Sequence, residues 1–139
     1  MRKSITTERA ARAFRNYARL GLCGSHSAIE VICRIRGACS DEAGLDMLAV
    51  FDTLRLLEAA GEKDSLMAIK EIYFSTATER LRANEISLRI LRLSHELHCD
   101  ERTVYRRLER VRSLWHSLRS GSNLSYLGSR NILSSLLRN

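Results

Sequence analysis

Apolar residues recur along this chain at three- and four-residue intervals, and no stretch alternates apolar with polar over a strand's length. Positions three and four apart share one face of an α-helix, whereas a half-buried strand repeats every two. Residues 6–20 place Ala10, Ala13, Phe14, Tyr17, Ala18 and Leu20 near one face, with Arg9, Arg12, Arg15 and Arg19 largely off it. Thr6 or Thr7, followed by Glu8, offers a start, and Gly21 a stop. A second helix is predicted over 27–37, carrying Ala28, Ile29, Ile32 and Ile35, opened by Ser25 or Ser27 and ended by Gly37. A third begins after Ser40, with Asp41 and Glu42 where carboxylates meet the positive end of the helix dipole. It runs through Leu45, Leu48, Phe51, Leu54, Leu56 and Leu57 to Gly61. A fourth, from Lys63 or Asp64 to Phe74, is expected to bury Leu66, Ile69, Ile72 and Tyr73. The predicted fold class is all-α, a multi-helix bundle.

After Thr76 or Thr78 the helical pattern turns basic, and over 84–119 it becomes specific. Asn84 to Leu97 carries Ile86, Ile90, Leu93 and Leu97 at spacings of four, three and four, one face of a helix. His98 and Cys99 interrupt it, and Asp100 offers an N-cap to a helix running from Glu101 to Leu118. Val104, Leu108, Val111 and Trp115 repeat the same spacing and form an inward stripe. Arg102, Thr103, Arg106, Arg110 and Ser113 lie on the opposite side. Two helices over a short turn, the second Arg-rich on its outer face, are what a helix-turn-helix uses to carry residues to base edges.

Composition narrows the class. The 139 residues are 45% hydrophobic and 28% charged, which excludes a disordered or fibrous chain. There is no proline and there are only seven glycines, so helices can run unbroken. No apolar run approaches the roughly 18 residues a membrane-spanning helix needs. The basic N-terminus lacks an apolar signal core, so a cytoplasmic protein is expected. The net charge of +7 conceals alternating blocks: +6 over residues 1–39, −6 over 40–79, +5 over 80–119 and +2 beyond. An acidic middle of this kind stays off phosphate and pairs with the basic N-terminal segment, within the chain or across a dimer. Twenty of the 23 basic residues are arginine, the side chain suited to bidentate recognition of phosphate and guanine. Codon bias in a GC-rich genome would produce the same skew.

The segment Leu93–Leu108 resembles the helix-turn-helix of region four of bacterial sigma factors, and most closely its version in small phage regulators of the ArpU and RinA type. Leu93 and Ser94 match the hydrophobic and small residues of the first helix, and Leu97 the leucine that ends it. Asp100 takes the cap position, and Thr103–Val104–Tyr105–Arg106 matches the opening of the recognition helix. His98 stands where a glycine is common, Cys99 at a buried aliphatic position, and Arg92 where glutamate is frequent. The segment preceding the motif is longer than usual. The resemblance covers the last third of the chain. It implies a phage or prophage transcription regulator that binds duplex DNA through residues 101–112.

On that arrangement Arg102, Arg106 and Arg110 face outward toward guanine or phosphate, and Thr103 toward phosphate or a thymine methyl. Arg107 sits at the edge of the face, and Arg89 and Arg92 on the first helix would cross the phosphate backbone. The chain divides into a helical bundle over 1–75 that supports, dimerises or contacts polymerase, the helix-turn-helix over 76–119, and a linker with a short apolar helix over 120–139. That last element folds back or joins a homodimer partner. Double-stranded DNA is the first expected partner. An adaptor docking on RNA polymerase or another phage protein is the alternative, and a helical protein binding nucleic acid without sequence preference is the third reading.

No cofactor, metal or small-molecule substrate is expected. Cys23, His26, Cys33 and Cys39 contain four potential zinc ligands, but their spacing is not that of a standard finger. No phosphate cradle or nucleophile elbow is present, so catalysis is not expected.

Overall fold

The computed structural model describes residues 8–24, 26–77 and 81–120, and every regular element among them is helical. The helices are α1 (Arg9–Arg19), α2 (Ala28–Ala38), α3 (Asp41–Ala59), α4 (Lys63–Ile69, continuing into a π-helical turn at Lys70–Phe74), α5 (Glu85–Glu96) and α6 (Glu101–Ser120). Together they form an all-α helix bundle. The 120–139 element lies almost wholly outside the described residues, as do Thr6 and Thr7; Ser120 itself closes α6.

Polar caps set the helix starts. Ser27 and Ser40 accept the backbone N–H of Glu30 and Ala43, and Glu8 accepts that of Ala10. Each acceptor satisfies a donor that the first turn leaves without an intrahelical partner. Two ends are glycine stops: Gly21 and Gly61 adopt φ of +74° and +72°, where a side chain would be strained. Gly37 does not stop its helix. α2 continues through Ala38 and ends on extended Cys39. Ile29 also departs from the pattern: α2 buries Val31 and Ile35 and leaves Ile29 exposed.

The last turn of α4 departs from regular geometry. The Ser75 N–H reaches back five residues to Lys70 O at 2.9 Å, and the Ser75 and Thr76 hydroxyls donate to Glu71 O and Ile72 O, both at 2.6 Å. A wider turn lets successive side chains face inward. Ile72 and Tyr73 are both fully buried, and Phe74 follows them against α1. Phe14 lies 5.4 Å from Tyr73, and Tyr17 lies 6.1 Å from Phe74, ring centre to ring centre.

One core runs through both the 1–75 and the 76–119 segments, because α6 packs against α1, α3, α4 and α5. Its stripe of Val104, Leu108, Val111 and Trp115 is fully buried. Each such side chain contributes about 1.5–3 kcal/mol by leaving water. Trp115 also donates its indole N–H to Asp46 O of α3 at 3.1 Å. The Asp46 carboxylate takes Arg9 at 2.8 Å and Arg119 at 2.7 Å, and Glu42 takes the same two arginines. Thus the acidic middle does pair with the basic N-terminal segment, within the chain, and it also clamps the end of α6. His116 pairs with Glu8 at the start of α1.

Trp115→Ala would remove the largest side chain from the core and is expected to cost about 3–5 kcal/mol, read by urea unfolding. A loss under about 1 kcal/mol would mean that α6 is not integral to the bundle.

Candidate nucleic-acid interface

The connection between α5 and α6 is built from four residues, Leu97–Asp100. His98 is the one described non-glycine residue in the left-handed region, with φ of 54°. Its N–H donates to His95 O at 3.3 Å, and the Cys99 N–H donates to Ser94 O at 3.0 Å. These two bonds are the paired closure of a Schellman end, in which glycine usually holds the left-handed position. Histidine accepts it at a cost of about 1–2 kcal/mol. Cys99, half-buried, packs on the core in the place expected of an aliphatic side chain.

Asp100 then starts α6. Its Oδ1 accepts the Thr103 N–H at 2.8 Å and the Thr103 hydroxyl at 2.7 Å. The hydroxyl bond, then the backbone bond, hold the Asp100 carboxyl below the usual aspartate range. Thr103 is half-buried and its hydroxyl proton is committed to the cap, which leaves only its methyl and oxygen lone pairs for a ligand.

Beyond the cap the arginines of α5 and α6 divide into two sets. Arg102 and Arg106 are exposed and have no hydrogen-bond or ion-pair partner among the described residues. Arg110, next on the same face, is 71% exposed and reaches Glu62 only at 3.6 Å. Residues four apart rise about 6 Å, so these three guanidiniums line about 12 Å of helix. The Asp100 carboxylate lies near Arg102 and Arg106, and Glu109 is exposed within the row.

The second set is held by the acidic middle. Arg107 is 26% exposed and pairs with Asp64 at 3.4 Å and Glu62 at 3.7 Å. Arg89, expected to cross a phosphate backbone, is only 16% exposed and sits between Glu85 at 3.2 Å and Glu71 at 3.3 Å. It also donates to Glu71 O and Ser75 Oγ. Arg89 is therefore a strut between α5 and the π-helical turn, and its guanidinium points into the protein. Arg92, 65% exposed, touches Glu71 only at 3.9 Å and remains at the surface. Apart from Glu85, four residues from Arg89, the partner carboxylates lie 18 to 45 residues away, and charge blocks show totals rather than pairs, which is why sequence reasoning missed them.

The four potential zinc ligands do not assemble. Cys23 and Cys33 are exposed thiols, Cys39 lies 3.8 Å from Met47 Sδ, and the His26 ring is shared between Gly21 O and Glu30. Among the described residues no three potential ligands form a metal site, and no helix is long and apolar enough to cross a membrane. The chain matches no protein-family model, no curated protein and no solved structure.

His98→Gly removes the left-handed strain and is expected to raise stability by roughly 0.5–1 kcal/mol once glycine's added unfolded-state entropy is counted. Equal or lower stability on thermal melting would show that the His98 side chain holds the turn. Asp100→Ala is expected to lower the melting temperature at neutral pH. Because Asp100 is held below its ordinary range in the folded state, its contribution is complete above that range and fades as pH falls through the depressed value. The two melting curves should therefore converge in acid. A gap independent of pH would contradict the cap.

Proposed function

We propose that this chain is a sequence-specific duplex DNA-binding transcription regulator that enters the major groove with the N-terminal half of α6. The observation that carries the reading is the row Arg102, Arg106 and Arg110: exposed and aligned, with Arg110 reaching Glu62 only at 3.6 Å while Arg107 and Arg119 are held by the acidic middle. Arginine's planar fork matches guanine O6 and N7, and being pre-organised it loses less entropy per hydrogen bond formed than lysine would. Arg92 on α5 stands as the flanking phosphate contact. Arg89 and Arg107 act as supports for the two helices. The resemblance of Leu93–Leu108 to sigma region four and the phage regulators points the same way, toward a cytoplasmic, phage or prophage protein.

A second reading rests on a specific observation. Leu88 and Leu91 of α5 are 52% and 42% exposed, one turn apart on the outer side of the same helix pair. That patch suits an adaptor docking on RNA polymerase or another protein.

A fluorescence-anisotropy titration against a pool of duplexes at several salt concentrations tests the proposal. Tight, sequence-dependent binding is expected, and Arg106→Ala should cost about 1–3 kcal/mol and relax preference at one base pair. A steep salt dependence without sequence preference would reduce the protein to a non-specific binder. No binding at low salt would overturn the proposal and leave the adaptor.

A further inference from the structure

On the side of the bundle built by α1–α4 lies a cleft of about 940 Å³. Its size falls within the roughly 300–1,000 Å³ typical of small-molecule sites. Its walls are Tyr17, Leu22, Val31, Phe51, Leu54, Leu66 and Phe74. Two exposed cations, Arg55 of α3 and Lys70 of the π-helical turn, stand on the lining, and neither forms an ion pair among the described residues. Glu58 is the single carboxylate on the lining, so the lining carries a net positive charge. His26, also on the lining, bridges Gly21 O at 2.8 Å and Glu30 at 3.3 Å. An apolar, aromatic-walled hollow with two exposed cations on its lining suits a ligand with a greasy body and an anionic head.

The same π-helical turn also reaches the other functional element. Lys70, Phe74 and Ser75 line the cleft, while Glu71, between them, holds Arg89 and touches Arg92 of α5. Ser75 Oγ accepts from Arg89 as well. π-Helical turns are irregular segments that often occur at functional sites, and this one joins the hollow to the helix pair.

We propose that the cleft is an effector site for an amphipathic organic anion, an alkyl or aryl carboxylate, whose head group lies on Arg55 and Lys70 and whose body lies against Phe51, Leu54 and Phe74. Occupancy moves the π-helical turn and is transmitted through Glu71 and Arg89 to α5. Binding in the cleft is independent of the DNA-binding reading; only its use in controlling transcription rests on that reading.

The test is a titration of the full, ¹⁵N-labelled chain with dodecanoate below its micellar concentration, with dodecanol as the uncharged comparison. Saturable shifts at Val31, Phe51 and Lys70, with one carboxylate per chain, are expected. Shifts confined to other parts of the surface, such as Leu88 and Leu91, would overturn the site. Arg55→Gln with Lys70→Gln, both exposed and outside the core, should weaken dodecanoate about tenfold or more. Undiminished binding by that variant, or dodecanol binding as tightly as dodecanoate, would overturn the anionic head group. Transmission predicts further shifts at Glu71, Arg89 and Arg92 at saturation, and silence there would overturn it. Because these readouts contain no DNA, they separate failure of the cleft from failure of the regulator reading.

Discussion

Everything in this bundle depends on the inner stripe of α6. Val104, Leu108, Val111 and Trp115 are the surface on which α1, α3, α4 and α5 converge, and Trp115 closes it with a hydrogen bond to the α3 backbone. A helix buried along one side and anchored at its far end is a rigid rod. Its opposite side is then positioned by the core rather than by loops, and it presents its guanidiniums at a fixed spacing. The functional reading is a consequence of that rigidity.

Charge is organised around the same rod. Glu42 and Asp46 clamp its C-terminal end through Arg119 and tie α1 to it through Arg9, while Glu62 and Asp64 take Arg107 near its start. The exposed pair among them, Arg9–Glu42, contributes little to stability by itself. The larger effect of the set is selection: carboxylates placed along one edge draw some arginines inward and leave Arg102 and Arg106 to solvent. Glu71 does the same for α5 through Arg89, and there the link also runs to the wall of the α1–α4 cleft.

Much of this was legible in the sequence, because the signals were local. The four-three-four spacing of the α6 stripe and the caps at Ser27, Ser40 and Asp100 each depend on residues within a few positions of one another. The all-α class follows from those same signals. What was illegible was long-range or irregular. Ile29 continues the apolar pattern of α2 yet faces solvent, since which part of a short helix is covered depends on where α3 passes. The π-helical turn shifts one hydrogen bond from four residues to five and leaves no mark in the periodicity. The inward orientation of Arg89 required knowing that Glu71 lies beside it in space. The cleft had no sequence signal, for its walls come from four separate helices and the loop after α1.

The central claim is that the arginines of α5 and α6 divide into a held set and a presented set. The most direct measurement is of their guanidinium Nε–H signals by NMR, before and after adding a duplex that the chain binds. The account predicts that Arg89, Arg107 and Arg119 exchange slowly with water and keep their resonances. Arg102 and Arg106, with Arg110, should exchange fast in the free protein and become slow and shifted on the duplex. A duplex that shifts Arg89 and Arg119 while leaving Arg102 and Arg106 untouched would contradict it.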